Sequence, residues 1–310
     1  MQQYLEDKIP RIEQSLQRFY DRLKSGDLLK SLETIGSINP DTFREAIYKP
    51  IEEAVIVTGG KRLRPVLVYL AHDLVVGSCR HIDDLVILPE LAHKGSVVID
   101  DVEDSAQKRD GRDPLYISYG VATALNTGNF LYFATNLVLN NAKIDERRKS
   151  EILQAYFDEG LAAHIGQGLD IHWRETWEKT GTLPTEEEYL QMNAHKLATF
   201  KYAVKVGAIL GNGTEEQKRS LAEIAEAAGT AYMLKDDLLS LDENAHDYGD
   251  DITQGKITLM VLKTLQDGGT DAERLKSILS SRTKDHKAIE EAISIMRDNG
   301  SIAYAEQTAR

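Results

Sequence analysis

Proline stops at Pro184, and this constrains the fold more than any other feature of the chain. The 126 residues from there to Arg310 contain none and are rich in Ala, Leu, Lys, Glu and Ile. Proline inside a helix removes a hydrogen bond and clashes with the preceding turn, so its absence among strong helix formers reads as helix following helix. The rest of the chain agrees. Apolar residues recur at helical spacing in Ile12, Leu16 and Phe19, in Leu63, Leu67 and Leu70, in Ile152, Ala155, Phe157 and Leu161, and in Leu221, Ile224, Ala225 and Ala228. Such spacing lays one apolar stripe along each helix. No stretch alternates as a strand does. Breaks at Gly59-Gly60, Gly111 to Pro114, Gly181 to Pro184, Gly211 to Gly213 and Gly268-Gly269 cut the chain into roughly ten or more helices. The expected fold class is all-α, a single large helical bundle over residues 1–310 with no firm domain boundary, its site at one open end.

Charge narrows the function. Fifty acidic residues against 37 basic ones give a net charge of −13, which argues against a nucleic acid partner. The single Cys79 leaves no internal disulfide and fits a reducing compartment. The opening MQQYLEDKIP is polar, and no apolar run approaches the roughly 18 residues that span a bilayer, so a soluble, cytoplasmic protein with no membrane span is expected.

Two acidic clusters carry the chemistry. Asp100, Asp101 and Asp104 lie in IDDVEDS, and Asp236 and Asp237 lie in KDDLLS. On a helix, positions i and i+4 stack, so Asp100 and Asp104 point the same way while Asp101 sits about 100° round. Asp236 and Ser240 repeat that spacing. Crowded carboxylates repel one another unless hard cations such as Mg²⁺ lie between them, and Mg²⁺ completes its octahedron with substrate phosphate oxygens. Two such ladders facing each other would clamp a diphosphate. Bound metals also resolve the apparent conflict between an acidic chain and an anionic substrate. Either cluster alone is also what a solvated helix end looks like.

Basic residues supply the complement. GGKRLRP places Lys61 and Arg64 three apart on one predicted helical face, a point charge and a planar fork suited to a second phosphate group. His93 falls on the same predicted helix as Asp100 and can donate to a phosphate. Lys196 in NAHKLATF and Lys256 in TQGKITL could hold a leaving diphosphate. Individually each is also an ordinary surface residue.

Taken together, GGKRLRP at 59 to 65, IDDVEDS at 99 to 105, GQGLD at 166 to 170, HKLAT at 195 to 199, KDDLLS at 235 to 240 and DDITQGKITL at 250 to 259 resemble the trans-isoprenyl diphosphate synthases, the polyprenyl synthetase family of farnesyl and geranylgeranyl diphosphate synthases. Order and spacing both agree. The resemblance implies an all-α fold around a deep apolar cavity, a prenyltransferase that joins an allylic prenyl diphosphate to isopentenyl diphosphate, and a homodimer. It implies that Asp100 and Asp104 hold two Mg²⁺ ions and Asp236 a third, with Asp101 and Asp237 as helper carboxylates. Lys196, Lys256 and Arg109 would contact the allylic diphosphate, and Lys61, Arg64 and His93 the isopentenyl diphosphate. Gln167 and Asp170 match the element behind the metals. Released diphosphate would take the final proton, and no Ser-His-Asp or Cys-His set suggests otherwise.

The chain departs from the family pattern in one place that matters. KRDGRDP at 108 to 114 stands where two adjacent arginines are usual, so either Asp110 replaces the second arginine or the basic pair has slipped to Lys108-Arg109. An aspartate there would weaken the isopentenyl diphosphate half of the site, with Arg112 as a candidate compensator. Milder departures are Ser240 for a third aspartate, Met233 for a glutamine and Gln254 for a glutamate, while Asp242 is too far round to substitute. The asymmetry admits an alternative, a terpene synthase-like enzyme that ionises an allylic diphosphate without isopentenyl diphosphate. A non-enzymatic regulatory subunit would need lost metal ligands, which the sequence does not show. Gly95 and Ser96 stand where the family commonly uses bulky aromatics to stop a chain early, so a product of about twenty carbons or longer is expected, with Phe130 and Phe133 as a later floor; close helix packing is the rival reading.

Overall fold

Stripes of apolar residues on helices leave one way to build a core, helix against helix. A computed structural model of the chain describes residues 2–29, 38–77, 82–245 and 248–310. Cys79 lies outside the described residues. Helices follow one another as α1 (Gln2–Lys24), α2 (Leu63–Val76), α3 (Leu88–Glu103), α4 (Leu115–Tyr119), α5 (Val121–Asn140), α6 (Glu146–Thr180) and α7 (Glu186–Lys196). The remainder are α8 (Ala198–Leu210), α9 (Glu215–Leu239), α10 (Asp250–Gln254), α11 (Leu259–Asp267), α12 (Gly269–Ser280), α13 (His286–Asp298) and α14 (Ser301–Thr308). Between α1 and α2 runs a helical stretch in which α-turns at Pro40–Phe43 and Lys49–Glu52 alternate with wider π-turns at Arg44–Tyr48 and Glu53–Val57. Among the described residues there is no strand, only one isolated bridge between Arg109 and Arg112. The fold is all-α, as the periodicity predicts.

The chain divides into two compact units, the first Met1–Asp158 with Thr199–Glu223 and the second Glu159–Ala198 with Ile224–Arg310. Each has its own core. The first gathers Ile12, Leu16 and Phe19 of α1, Val68 and Tyr69 of α2, Leu88 and Leu91 of α3, Leu131 of α5 and Tyr202 of α8. Glycines let two of its helix pairs touch. A side chain at Gly95 of α3 would begin 2.7 Å from the Gly128 carbonyl of α5, and one at Gly207 of α8 only 2.2 Å from the Val68 carbonyl of α2. The second core gathers Trp177, Tyr189, Met192, Leu234, Leu259, Leu275 and Ile293.

Some predicted stripes turn outward. Ile152 and Ala155 are buried, but Phe157 and Leu161 on the same helix are 56% and 66% exposed, and Ile224 is 64% exposed beside buried Ala225. Phe133 is 76% exposed, so it does not stand in the first unit's interior as a floor, whereas Phe130 packs against that core. Residue 133 lies about 60° from residue 130 on the helical wheel and about 100° from Tyr132, which is enough to carry its ring off the packed face of α5.

Candidate active site

The first aspartate ladder exists as drawn. Pro89 opens α3, where a missing N–H costs nothing. Asp104 caps its far end, and the Asp104 N–H donates to the Asp100 carbonyl at 2.8 Å, so the two side chains stack one turn apart and both are half-buried. Asp101, about 100° round the helix, is 3% exposed. Arg109 Nε donates to Asp101 Oδ1 at 2.8 Å, and Arg109 Nη2 lies 3.6 Å from Asp100 Oδ2. Burial pushes the Asp101 carboxyl up from its ordinary value while Arg109 pulls the other way.

Arg109 is placed by a tight turn. Its N–H and C=O exchange hydrogen bonds with those of Arg112, and the two residues between, Asp110 at φ 49° and Gly111 at φ 77°, occupy the left-handed region. Asp-Gly is a favoured pair for such a turn. Asp110 is exposed at its tip. Lys108 bonds Asp113 at 2.6 Å on the exposed side of the turn.

The element around GGKRLRP differs from its predicted form. Helix α2 starts at Leu63, and Lys61 precedes it, exposed, with Arg62 at φ 53°. Lys61 and Arg64 therefore do not share a helical face. The reason is Arg62, whose Nε and Nη2 bind Glu13 at 2.7 and 3.1 Å and whose Nη1 binds Glu90 at 2.9 Å, holding the backbone in a left-handed turn. Arg64 Nε donates to Thr199 Oγ1 at 2.8 Å, and its guanidinium lies 4.8 Å over the Phe200 ring. His93 keeps part of its surface open. Burial, then the charges of Arg64, Lys94, Arg109 and Arg62, hold its pKa well below the ordinary imidazole value. With its pKa lowered from an ordinary value already near 6.5, the imidazole is neutral at pH 7, in the electrostatic field of four cations.

In the second unit, glycine again sets the approach. A side chain at Gly166 would begin 2.7 Å from the Lys196 backbone N and 2.8 Å from the Met192 carbonyl, so only glycine lets α6 lie against the end of α7. One turn on, Asp170 Oδ2 accepts from Lys196 Nζ at 2.6 Å. Burial alone would raise the Asp170 pKa, but Lys196, helped by Lys256 and Arg174, outweighs it and holds this carboxyl below the ordinary range. Gln167 is half-buried on the same helix.

The second aspartate cluster closes α9. Asp236 is exposed, and the Ser240 N–H donates to its carbonyl at 3.1 Å, one turn on. Asp237 Oδ2 accepts from the Tyr189 hydroxyl at 2.9 Å. Burial first, then the charge of Asp251, push the Asp237 carboxyl well up from its ordinary value, against Tyr189, Lys256 and Lys196. Ser240 is buried, and its hydroxyl lies 3.0 Å from Asp251 Oδ2, to which it donates. Lys256 Nζ lies 3.3 Å from Asp251 Oδ1. Asp242 is exposed and caps Asn244 beyond the helix end.

Lys196 and Lys256 both act on Asp170 and on Asp237, while Asp251, Tyr189, Arg62 and Lys94 were not singled out by the sequence. Asp251 had a signal, five residues before Lys256 in the same motif. Gly95 is a packing glycine, since an added side chain would meet Gly128, Leu131 and Tyr132 at 2.7 to 3.3 Å. Ser96 is half-buried, and its Oγ donates to the His93 carbonyl at 2.8 Å.

Among the described residues no group of three or more His, Cys, Asp or Glu side chains converges to hold a metal by itself. Stacked oxygen donors, half open to solvent, nonetheless fit Mg²⁺, which takes one or two carboxylates and draws its remaining ligands from water and substrate phosphate. The donor set suits that ion better than zinc, which wants nitrogen or sulfur.

Comparison with known proteins agrees with this chemistry. The polyprenyl synthetase family model matches residues 44–296. A short chain isoprenyl diphosphate synthase of Methanothermobacter thermautotrophicus is 33% identical over 284 residues, covering 89% of this chain and 83% of the relative. A geranylgeranyl pyrophosphate synthase of Eremothecium gossypii is 30% identical over 287 residues, 88% of each chain. The crystal structure of geranylgeranyl pyrophosphate synthetase from Pyrococcus horikoshii Ot3 superposes with a TM-score of 0.81 at 26% identity, covering 98% of this chain and 87% of that one.

Proposed function

The chain belongs to the polyprenyl synthetase family and is a prenyltransferase, and from that premise we propose that it condenses an allylic prenyl diphosphate with isopentenyl diphosphate to give a trans-prenyl diphosphate of about twenty carbons or more. The observation that carries this reading is the setting of His93, a neutral donor in the electrostatic field of Arg64, Lys94, Arg109 and Arg62, with Arg109 bonded to Asp101, the residue after Asp100, and Arg64 bonded to Thr199. Cations around a neutral donor suit a diphosphate. A cyclase acting on an allylic diphosphate alone would have no use for this second anion site.

Within this reading Asp100 and Asp104 hold two Mg²⁺ ions and Asp236 a third. When bound, Mg²⁺ neutralises charge on the departing diphosphate. Lys196, Lys256 and Arg109 grip the allylic diphosphate, Asp170 and Gln167 position Lys196 from behind, and Asp237 supports Asp236. Lys61, Arg64 and His93 take isopentenyl diphosphate, and a deep apolar cavity excludes water while the new bond forms. Ser96, one turn before Asp100 on the same face of α3, sets product length.

We further propose one functional domain of residues 1–310, a cytoplasmic location and a homodimer. No helix is long and apolar enough to cross a membrane among the described residues. Phe157, Leu161 and Ile165 recur every four residues along α6 and are more than half exposed, an apolar stripe suited to a second copy.

Purified protein incubated with Mg²⁺ and farnesyl diphosphate, with and without isopentenyl diphosphate, tests the reading by product mass. Product that appears only with isopentenyl diphosphate and grows in five-carbon steps is expected; hydrocarbon formed without it would establish the cyclase instead. D100A and D236A should each lower kcat by about a hundredfold or more.

A further inference from the structure

We propose that Lys94 is a binding residue for the isopentenyl diphosphate, supplying the cation that the family places at position 110 and that Asp110 cannot supply. The inference rests on the function proposed above and extends it to a residue that no motif singled out.

Three observations carry it. First, Lys94 follows His93 on α3 and is 8% exposed, with its Nζ donating to the Gly59 carbonyl at 2.6 Å and to Thr58 Oγ1 at 3.0 Å. The ammonium therefore sits against the Gly59-Gly60-Lys61 loop, 3.7 Å from where a Gly60 side chain would begin. Two of its three N–H bonds are spent on neutral oxygens, and the third is left for another acceptor. Second, the other cations near His93 are more heavily engaged. Arg62 is saturated by Glu13 and Glu90, Arg109 is bound to Asp101, and Arg64 donates to Thr199. Among the described residues no carboxylate comes within ion-pair distance of Lys94. Its hydrogen bonds go only to neutral oxygens, and burial outweighs the more distant pull of Glu90, so an incoming diphosphate would supply the direct anionic partner that this ammonium lacks. Third, Asp110 lies in the electrostatic field of both Lys94 and Arg109. Asp110 and Lys94 are thus near enough to feel each other's charge, so a cation at 94 can offset the one lacking at 110.

The rival role for Lys94 is to pin the backbone at residues 58 and 59 and nothing more. K94Q separates the two, because its amide can still donate to Thr58 and Gly59 but carries no charge. Steady-state kinetics with farnesyl and isopentenyl diphosphates should show K94M and K94Q each raising the KM for isopentenyl diphosphate by about tenfold or more, the worth of one charge-assisted contact. The KM for the allylic substrate should stay within about twofold, and K94R should stay close to the parent. D110R should lower the KM for isopentenyl diphosphate by no more than about threefold in the parent but recover most of the loss in K94M, since the two positions act on one anion. A parental KM in K94Q, equal shifts for both substrates, no recovery by D110R, or a loss that appears in R112A and not in K94Q would each overturn the proposal. K94Q decides alone if K94M does not fold. A parent that makes no product dependent on isopentenyl diphosphate would instead overturn the function on which this rests.

Discussion

Lys196 Nζ sits 2.6 Å from Asp170 Oδ2, joining the last residue of α7 to the middle of α6 across the contact that Gly166 permits. Asp170 is nine-tenths buried, and its low pKa means that the pair stabilises the second unit at neutral pH. K196M removes the main partner and should cost about 2–3 kcal/mol, short of the full figure for a buried pair because Lys256 and Arg174 remain nearby. The sign with pH follows from the lowered carboxyl. Its contribution is complete above the unfolded carboxylate value of about 3.9 and disappears as pH falls through the lower folded value. Urea unfolding at pH 7 and pH 3 should therefore show a difference between parent and K196M that is smaller at the second than at the first.

Arg62 is the buried centre of the first unit's charge network, with its guanidinium spread between Glu13 and Glu90. Glu90 is 2% exposed, so R62L strands a buried carboxylate and should destabilise by about 3–5 kcal/mol. The double variant R62L/E90L removes both members and should recover a good part of that loss, since a paired apolar replacement is often neutral. Chemical denaturation of the three variants checks this, and a double variant no better than R62L would refute it.

How much of this was legible in the chain depends on how local each signal is. The Asp100–Asp104 stack is a matter of four residues on one helix, and the spacing predicts it. The all-α class follows from composition and period. Lys61 was misplaced because the left-handed turn at Arg62 is set by Glu13 and Glu90, 49 and 28 residues away, and no nearby residue announces it. Lys94 carries no motif; its meaning appears only when Thr58 and Gly59 come to meet it. Phe133 and Leu161 have the apolar character of core residues yet face outward, since helical period fixes that a stripe exists and not which side the chain covers.

Neighbouring positions 95 and 96 should behave in opposite ways. Gly95 touches Gly128 of α5, so G95A forces the helices apart and should cost about 1–3 kcal/mol with little change in product mass. Ser96, about 100° round the helix from Gly95, lies on the ladder face one turn before Asp100. S96F should shorten the product with a smaller loss of stability. Thermal unfolding and product mass, measured on both variants, check the pair, and an unchanged product in S96F would count against a length-setting role for that position.

His93 gives a pH dependence of opposite sign to that of a paired histidine. Its folded pKa is depressed by burial and by Arg64, Lys94, Arg109 and Arg62, so the native protein holds the imidazole neutral where the unfolded chain would already protonate it. Below an unfolded value of about 6.5 the unfolded state binds the extra proton, and stability falls as pH falls, by up to about 1.4 kcal/mol per pH unit from this group. Above that value the contribution is flat. H93N keeps a polar side chain of similar reach without the titration, so the difference in unfolding free energy between parent and H93N should be constant from pH 7 to 8 and should move in favour of H93N as pH drops from 6.5 toward 5. Parallel curves across the whole range would mean that His93 is protonated in the folded protein and that the cations around it do not set its charge.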